Sequence, residues 1–203
     1  MTGGMGIFIA VEGIDAVGKR TQTSILSSWL ASKGTKTRTL SFPVYETVIG
    51  REIRRFLDGT VTYPQEVRAL LYAANRWEKK SDLEAILAST DVTIVNRYTG
   101  SNLAYGIANG LDLEWLLNLE AGLPKPDLVL VLDSPPAKLI PRRSRNKDSY
   151  ERNLDLQEKA RTAYLTLAKK FRWRVVDASS GIDETKSTIM SAVSEALDEG
   201  SKT

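Results

Sequence analysis

The sequence predicts an α/β fold of three layers, in which helices flank a central five-stranded parallel sheet. Segments with strand character alternate with segments of helical periodicity along the 203 residues, and such alternation is typical of parallel α/β sheets. Several strand segments are continuously apolar, which indicates strands covered on both faces. A glycine-bounded loop joins the first strand to the first helix.

Five segments are predicted as strands. Val92–Val95 and Leu128–Leu132 are rich in branched apolar residues and show no alternation, so we expect buried parallel strands there. Ligands of such sheets bind beyond the carboxyl ends of the strands, where we therefore expect the functional residues. The predicted strands are an apolar run from Ile7 to Val11, Thr37–Phe42, Val92–Val95, Leu128–Leu132 and Arg174–Asp177.

Helical periodicity and end signals place the helices between these strands. Ser81 is the predicted N-cap of its helix because Glu84 follows three residues later, as in a capping box. The predicted helices are Thr21–Lys33, residues 47–57, a long helix from Pro64, one from near Ser81, Ala137–Arg145, Asn153–Phe171 and Asp183–Leu197.

The composition limits the chemistry. The chain is 42% hydrophobic, enough to bury one substantial core, and we expect a single domain spanning residues 1–203. It contains no Cys and no His, which excludes disulfides, thiolate and imidazole catalysis and His metal sites. Catalysis must therefore rest on Lys, Arg, carboxylates, hydroxyls and the backbone.

The same composition bears on partners and location. The net charge of +3 is too small to indicate a nucleic-acid polymer as partner. No apolar run approaches the roughly 18 residues of a membrane span, and the first residues do not resemble a signal peptide. We expect a soluble cytoplasmic protein without a membrane partner.

The stretch Gly6–Thr23 contains a phosphate-binding motif. Gly13, Gly18 and Lys19 have the G-x4-G-K spacing of a Walker A loop between a strand and a helix. Glycines let backbone N–H groups point at a phosphate, the helix N-terminus adds partial positive charge, and the lysine reaches the outer phosphates. The motif predicts a P-loop fold that binds a nucleotide; the alternative is an ordinary strand–loop–helix turn.

Four further segments support a more specific interpretation: FP at 42–43, YAANRWE at 72–78, NRY at 96–98 and LPKPD at 123–127. Together with EGIDAVGKRTQ at 12–22, they resemble the thymidylate kinases, which phosphorylate dTMP from ATP. The likeness runs nearly end to end and includes GLPKPDLVLVLD at 122–133 and VDAS at 176–179. ANRWE and GLPKPD are far more specific than a phosphate loop alone.

The resemblance implies a dTMP site. Tyr72 would stack on the thymine ring, and Arg76 would donate to the base O4, which distinguishes thymine from cytosine. Arg97 would hold the dTMP phosphate, and Asp15 would accept a hydrogen bond from the 3′-hydroxyl. The implied set is Asp15, Phe42, Pro43, Leu57, Tyr72, Arg76, Arg97, Tyr105 and Tyr150.

The resemblance also implies an ATP site and a mobile lid at about residues 141–152. It further implies a homodimer formed by helix packing. Lys19, Arg97, Arg143 and Arg145 are the candidate catalytic residues, because phosphoryl transfer depends on positioning and cations rather than on a strong base. The implied ATP set is Gly13, Ile14, Asp15, Ala16, Val17, Gly18, Lys19, Arg20, Thr21, Arg142, Arg143, Ser180 and Ile182.

The sequence departs from the family pattern where the metal is usually held. Arg20 replaces the hydroxyl residue that ligates Mg²⁺, and Asn96 replaces the Asp that precedes the Arg-Tyr pair. Mg²⁺ is the expected cofactor, held mainly by the nucleotide phosphates, with Thr21 as the candidate side chain. Tyr45 stands where many members have a phosphate-binding arginine. Ala16 and Val17 occupy positions where some members carry a catalytic arginine, which other members carry in the lid.

Two alternatives remain at this stage. One is a kinase of the same fold that acts on another acceptor, such as dUMP or a deoxynucleoside. The other is a nucleotide-binding relative without catalysis, suggested by the joint changes at Arg20 and Asn96. Retention of the lysine and arginines favours the kinase, because a protein that only binds nucleotide needs no lid cations.

Overall fold

The structure, a computed structural model, describes residues 6–139 and 153–200. Five parallel strands form one sheet in the order β2-β3-β1-β4-β5, which confirms the predicted fold class. The strands are β1 (Ile7–Glu12), β2 (Thr37–Ser41), β3 (Val92–Asn96), β4 (Leu128–Asp133) and β5 (Arg174–Asp177). The order of the strands in the sheet differs from their order in the chain: β1 lies at the centre, between β3 and β4.

Helices cover both faces of this sheet. The described helices are α1 (Lys19–Ser32), α2 (Val48–Leu57), α3 (Gln65–Trp77), α4 (Lys80–Leu87), α5 (Thr99–Ala108), α6 (Leu113–Glu120), α7 (Pro136–Leu139), α8 (Leu154–Phe171) and α9 (Ile182–Gly200). Most predicted helix and strand ends differ from these by one to three residues, as is usual where terminal turns fray. None of the described helices is long and apolar enough to cross a bilayer.

The central strands are buried on both faces. Ile9 and Val11 of β1 belong to the main core cluster, whereas Phe8 and Ala10 belong to a second cluster with Leu83. Successive residues of a strand point to opposite faces, so the apolar run of β1 supplies both clusters. This explains why continuous rather than alternating apolar residues predicted the central strands correctly.

Two predictions about helices were wrong or incomplete. Ser81 is not an N-cap: Lys79 precedes the first residue of α4, no side chain caps that helix, and Ser81 lies in its first turn. The helix predicted over Ala137–Arg145 begins at Pro136 and is described only as far as Leu139. The remainder, including the predicted lid, lies outside the described residues.

Helices α5 and α6 were not predicted from the sequence. The segment TGSNLAYGIA of α5 is rich in Gly, Ser and Asn, which have low helix propensity. Tertiary packing stabilises it instead, since Gly106 faces Leu116 of α6 so closely that an added Cβ would lie 2.6 Å from a Leu116 methyl. Both helices contribute side chains to the site described next.

Candidate active site

The loop between β1 and α1 folds around Lys19. The side chain is 5% exposed, and Nζ donates to the carbonyl oxygens of Gly13 at 2.9 Å and Ile14 at 2.6 Å. Gly13 has a φ of 132°, and an added Cβ would lie 2.4 Å from the carbonyl oxygen of Leu132. Glycine is therefore required at this turn.

The N-terminus of α1 faces the same loop. Gly18 caps the helix in a left-handed conformation with φ of 104°, and no side chain accepts a hydrogen bond from the first turn. The first N–H groups of a helix lack intrahelical acceptors and carry partial positive charge. This end of α1 can therefore receive an anion such as a phosphate.

Asp15 lies at the centre of a polar cluster beside this loop. Its Oδ1 accepts a hydrogen bond from Arg97, and its Oδ2 accepts from the Tyr105 hydroxyl at 2.8 Å and from Gln157 Nε2 at 2.7 Å. The Asp15 backbone N–H donates to Gln157 Oε1 at 3.1 Å. The cluster joins the loop to the end of β3, to α5 and to α8.

The charges in this cluster depend on one another. Burial opposes ionisation of Asp15, but the cations Arg97 and Lys19 and the hydrogen bonds from Tyr105 and Gln157 lower its pKa below the ordinary 3.8. Burial also opposes charge on Arg97, yet Asp15 raises the pKa of its guanidinium well above normal. Burial and Asp15 together raise the pKa of Tyr105. The pair is therefore ionised at neutral pH, and Tyr105 is a neutral donor.

Glu12, the last residue of β1, fixes the segment that follows β3. Its carboxylate is fully buried and accepts from the Tyr98 N–H at 2.8 Å, Ser101 Oγ at 2.6 Å and the Tyr164 hydroxyl at 3.1 Å. Arg97 has φ of 60° and donates its N–H to the carbonyl of Val11 at 3.0 Å. These bonds hold the Arg97 side chain toward the loop.

A cavity of about 390 Å³ opens beside Asp15 and Arg97. It brings together all eight of the described residues predicted for the dTMP site, which come from six separate parts of the chain. Tyr45 and Asn102 also line it. The predicted residues that line this cavity are Asp15, Arg20, Phe42, Pro43, Leu57, Tyr72, Arg76, Arg97 and Tyr105.

Arg76 is held in place by a carboxylate from α6. Its Nε donates to Glu120 Oε2 at 2.9 Å, and its Nη2 donates to Glu120 Oε1. Asn102 Nδ2 donates to the same Oε1 at 2.7 Å. All three side chains are less than 10% exposed, and Arg76 and Asn102 line the cavity, so this polar cluster forms a buried part of the cavity wall.

Arg20 and Asn96 also line the cavity. Both also line a second cleft of about 300 Å³, together with hydroxyl side chains of α1 and β2. Arg20 is exposed and makes no side-chain hydrogen bond or ion pair within the described ranges. Asn96 Oδ1 and Thr23 Oγ1 are buried oxygens without a hydrogen-bond partner in that same part of the chain.

Asn96 and Thr23 are compatible with a metal ion that they contact through water rather than as direct ligands. No group of three or more acidic residues that could hold a metal occurs among residues 6–139 and 153–200. Thr21 is exposed on the first turn of α1. The unpartnered oxygens of Asn96 and Thr23 can instead accept hydrogen bonds from the water shell that Mg²⁺ usually retains.

Two of the residues predicted for the ATP site, Ser180 and Ile182, do not line this cavity. Ser180 and Ile182 follow β5, and the Ile182 carbonyl accepts from Gln22 Nε2 of α1 at 3.0 Å, so their segment contacts the phosphate-loop helix. Ser180 is exposed at the end of that segment. Arg142, Arg143, Arg145 and Tyr150 lie outside the described residues.

The sequence-based site omitted Asn102, Glu120 and Gln157. The first two lie on α5 and α6, which were not predicted, and Gln157 lies on the buried face of α8 with Ala160, Ala163 and Tyr164. No local sequence pattern marks any of the three, and only the structure shows that they converge on the site.

The chain is similar to known proteins over most of its length. The family model described as "Thymidylate kinase" matches residues 11–189. The "Thymidylate kinase" of Arabidopsis thaliana is 36% identical over 194 residues, which cover 96% of this chain and 73% of that protein. The "Probable thymidylate kinase" of Pyrococcus abyssi is 38% identical and covers 95% of this chain and 98% of that protein.

A solved structure agrees with these matches. The thymidylate kinase of Candida albicans superposes with a TM-score of 0.84 at 29% identity, covering 98% of this chain and 95% of that one. It is described as having broad substrate specificity and a novel structural element. Fold, family match and relatives therefore agree with one another.

Proposed function

The chain belongs to the thymidylate kinase family, and we propose that Lys19, Asp15, Arg97, Arg76 and Tyr72 carry its transfer of the ATP γ-phosphoryl group to dTMP. The protein is an ATP-dependent nucleoside monophosphate kinase. The single observation that supports the residue assignment is the cavity, which is lined by Arg97, Arg76 and Tyr72 together with Asp15 of the phosphate loop.

The ATP phosphates would bind the loop and the N-terminus of α1. Lys19, now bonded to two loop carbonyls, supplies a buried cation for the outer phosphates. The backbone N–H groups of the loop supply further donors. The segment with Ser180 and Ile182 would border adenine, because it contacts α1 through Gln22.

The acceptor would lie in the cavity with its phosphate toward Arg97. Asp15 remains ionised there, so it can accept from a sugar hydroxyl while it holds the Arg97 guanidinium. Tyr72 and Phe42 line the apolar part of the cavity, where an aromatic base can stack. Arg76 is a buried residue of the cavity wall and can donate to a base carbonyl. The remaining residues proposed to line this site are Pro43, Leu57, Tyr105 and Tyr150.

Transfer requires in-line positioning and compensation of charge on the transferring group. Lys19 and Arg97 approach it from the donor and acceptor sides, and we assign Arg143 and Arg145 of the lid as further cations, with Arg142 on ATP. The acceptor phosphate oxygen is itself the nucleophile, so no strong general base is needed. A closed lid would exclude water and prevent hydrolysis of ATP.

We assign Mg²⁺ as the metal, held mainly by the nucleotide phosphates, where it would neutralise part of their charge. Thr21 is the candidate side chain for direct contact with the metal, and Asn96 and Thr23 would contact its water shell. The buried unpartnered oxygens of Asn96 and Thr23 support contact through water.

We also propose a homodimer in the cytoplasm. Family membership supports the homodimer, and the absence of Cys from the sequence supports the location.

A coupled assay of ADP release tests the assignment. We expect turnover with dTMP well above that with dCMP or thymidine, and a loss of about 10³-fold in rate for Arg97→Ala, as for other phosphoryl-transfer arginines. Arg38→Ala, on the exposed face of β2, is the matched control and should keep full activity. Binding of ATP without turnover of any acceptor would contradict the kinase.

A further inference from the structure

Glu120 contacts two buried polar side chains that line the acceptor cavity, Arg76 and Asn102. Its Oε1 accepts from Arg76 Nη2 and from Asn102 Nδ2, and its Oε2 accepts from Arg76 Nε. Glu120 is 8% exposed, Asn102 5% and Arg76 3%. One buried carboxylate therefore orients two side chains that line the cavity.

The orientation of the Asn102 amide follows from its partners. Nδ2 donates to Glu120 Oε1 at 2.7 Å and to the Ala69 carbonyl at 3.2 Å. Both partners are acceptors only, so the nitrogen must lie on that side of the amide and the oxygen on the other. Asn102 therefore presents Oδ1, an acceptor, to the cavity.

The guanidinium of Arg76 is constrained in the same way. Glu120 occupies Nε and Nη2 in a two-pronged contact, which fixes the plane of the group. Nη1 makes no hydrogen bond within the described parts of the chain, so it is the nitrogen left to donate into the cavity. Arg76 and Asn102 share one oxygen of Glu120, and hence their bonded nitrogens lie within roughly 6 Å, twice a hydrogen-bond length.

We propose that Glu120 is a positioning residue that fixes Arg76 as a donor and Asn102 as an acceptor, side by side, so that the site selects the base edge of the acceptor nucleotide. The inference rests on the proposed function, because it assumes that a pyrimidine monophosphate occupies the cavity.

The matching ligand is a pyrimidine whose edge has a carbonyl next to an N–H. Thymine and uracil present O4 as acceptor and N3–H as donor, which complement Arg76 and Asn102. Cytosine presents an amino donor and an N3 acceptor, so both contacts would be reversed. A buried site built around such hydrogen bonds rejects a ligand that leaves its groups unpaired.

The burial of Glu120 also fits a positioning role better than a stabilising one. Removing two charges from water offsets much of their mutual attraction, so a buried ion pair is weak evidence of stability. Such a pair does impose one geometry on its members. Here that geometry sets the direction of two groups that face the cavity.

The test compares the kcat/KM of dTMP, dUMP and dCMP in wild type, Glu120→Gln and Glu120→Asp. Gln keeps the shape but replaces one acceptor oxygen by a donor, so either Arg76 or Asn102 loses its partner. We expect the preference for dTMP over dCMP to fall by about 10- to 100-fold, the effect of losing a charged hydrogen bond. The preference for dTMP over dUMP should stay unchanged, because both bases have the same edge.

Two controls separate positioning from a general structural role. The KM for ATP and the activity of Glu195→Gln, which removes an exposed pair with Arg174, should both remain as in wild type. A lower thermal midpoint with an unchanged dTMP to dCMP ratio would overturn the proposal. If Glu120→Gln does not fold, Glu120→Asp decides, since an unchanged ratio there also overturns it. A wild type that uses none of the three nucleotides would instead contradict the proposed function.

Discussion

Arg20 is the residue that most distinguishes this chain from its family pattern. It follows Lys19 where a hydroxyl usually ligates the metal, and its exposed side chain lines both the acceptor cavity and the neighbouring cleft. Asn96 lines the same two spaces. Replacing a hydroxyl by a cation and a carboxylate by an amide makes this part of the site more positive, which weakens its hold on a metal and strengthens its hold on phosphate.

Arg20→Ser is therefore expected to lower the Mg²⁺ concentration needed for half-maximal activity. The serine hydroxyl would restore a ligand, and the loss of a cation would reduce repulsion of the metal, giving a shift of about 3- to 10-fold. A Mg²⁺ titration of the coupled assay at fixed ATP and dTMP measures it. Arg38→Ser, an exposed arginine on β2, serves as the control. An unchanged midpoint for Arg20→Ser would refute this account of the metal.

At the scale of elements, the cavity depends on how α2 and α3 are joined. Thr47 caps α2 by accepting from the Gly50 N–H at 2.9 Å, and its hydroxyl also accepts from Asn75 Nδ2 at 3.0 Å. Asn75, one residue before Arg76, is 1% exposed and bonds both the N–H and carbonyl of Val44. These bonds hold the segment after Pro43 against α3, so that both walls of the cavity face each other.

Thr47→Ala is expected to lower the free energy of unfolding by about 1–2 kcal/mol, because it removes an N-cap and leaves the Asn75 amide with one acceptor fewer. Urea denaturation measures the change. Thr47→Ser retains the hydroxyl and should stay within about 0.5 kcal/mol of wild type. Equal losses in the two variants would show that the methyl group, rather than the cap, stabilises this segment.

At the scale of the whole molecule, the Asp15 cluster connects parts that are distant in the sequence. Asp15 lies in the loop, Arg97 follows β3, Tyr105 is on α5 and Gln157 is on α8. The carboxylate therefore joins the phosphate loop to α5 and α8. The ionised form of Asp15 therefore contributes to the free energy of unfolding.

Stability should consequently depend on pH through Asp15. The pKa of this carboxyl is lowered on folding, so its contribution is complete above 3.8 and is lost as the pH falls further. Asp15→Asn should lose about 3 kcal/mol at neutral pH, because Arg97 is left without its partner, and the gap to wild type should narrow toward pH 3. Urea denaturation across this range measures it, with Asp198→Asn, at an exposed position of α9, as control. A gap that widens with acid would contradict the assignment.

Many of the residues that line the cavity could be proposed from the sequence, because they occur in compact motifs. The phosphate loop needs consecutive residues, so its spacing shows directly in the chain. Arg76 and Arg97 were found in the same way, within the ANRWE and NRY segments. Asn102, Glu120 and Gln157 were not found, because each acts through a partner far away in the chain and carries no local pattern.

The sequence by itself determined the parallel α/β fold and the phosphate loop, since both follow from local periodicity and from glycines that a tight turn requires. Only the tertiary structure decided the order of the strands and the presence of α5 and α6. The weak helix propensity of α5 is overcome by packing such as Gly106 against Leu116. It alone also showed that Glu120 holds Arg76 and Asn102. A buried hydrogen bond depends on distance and direction in space, and the spacing of residues along a chain determines neither.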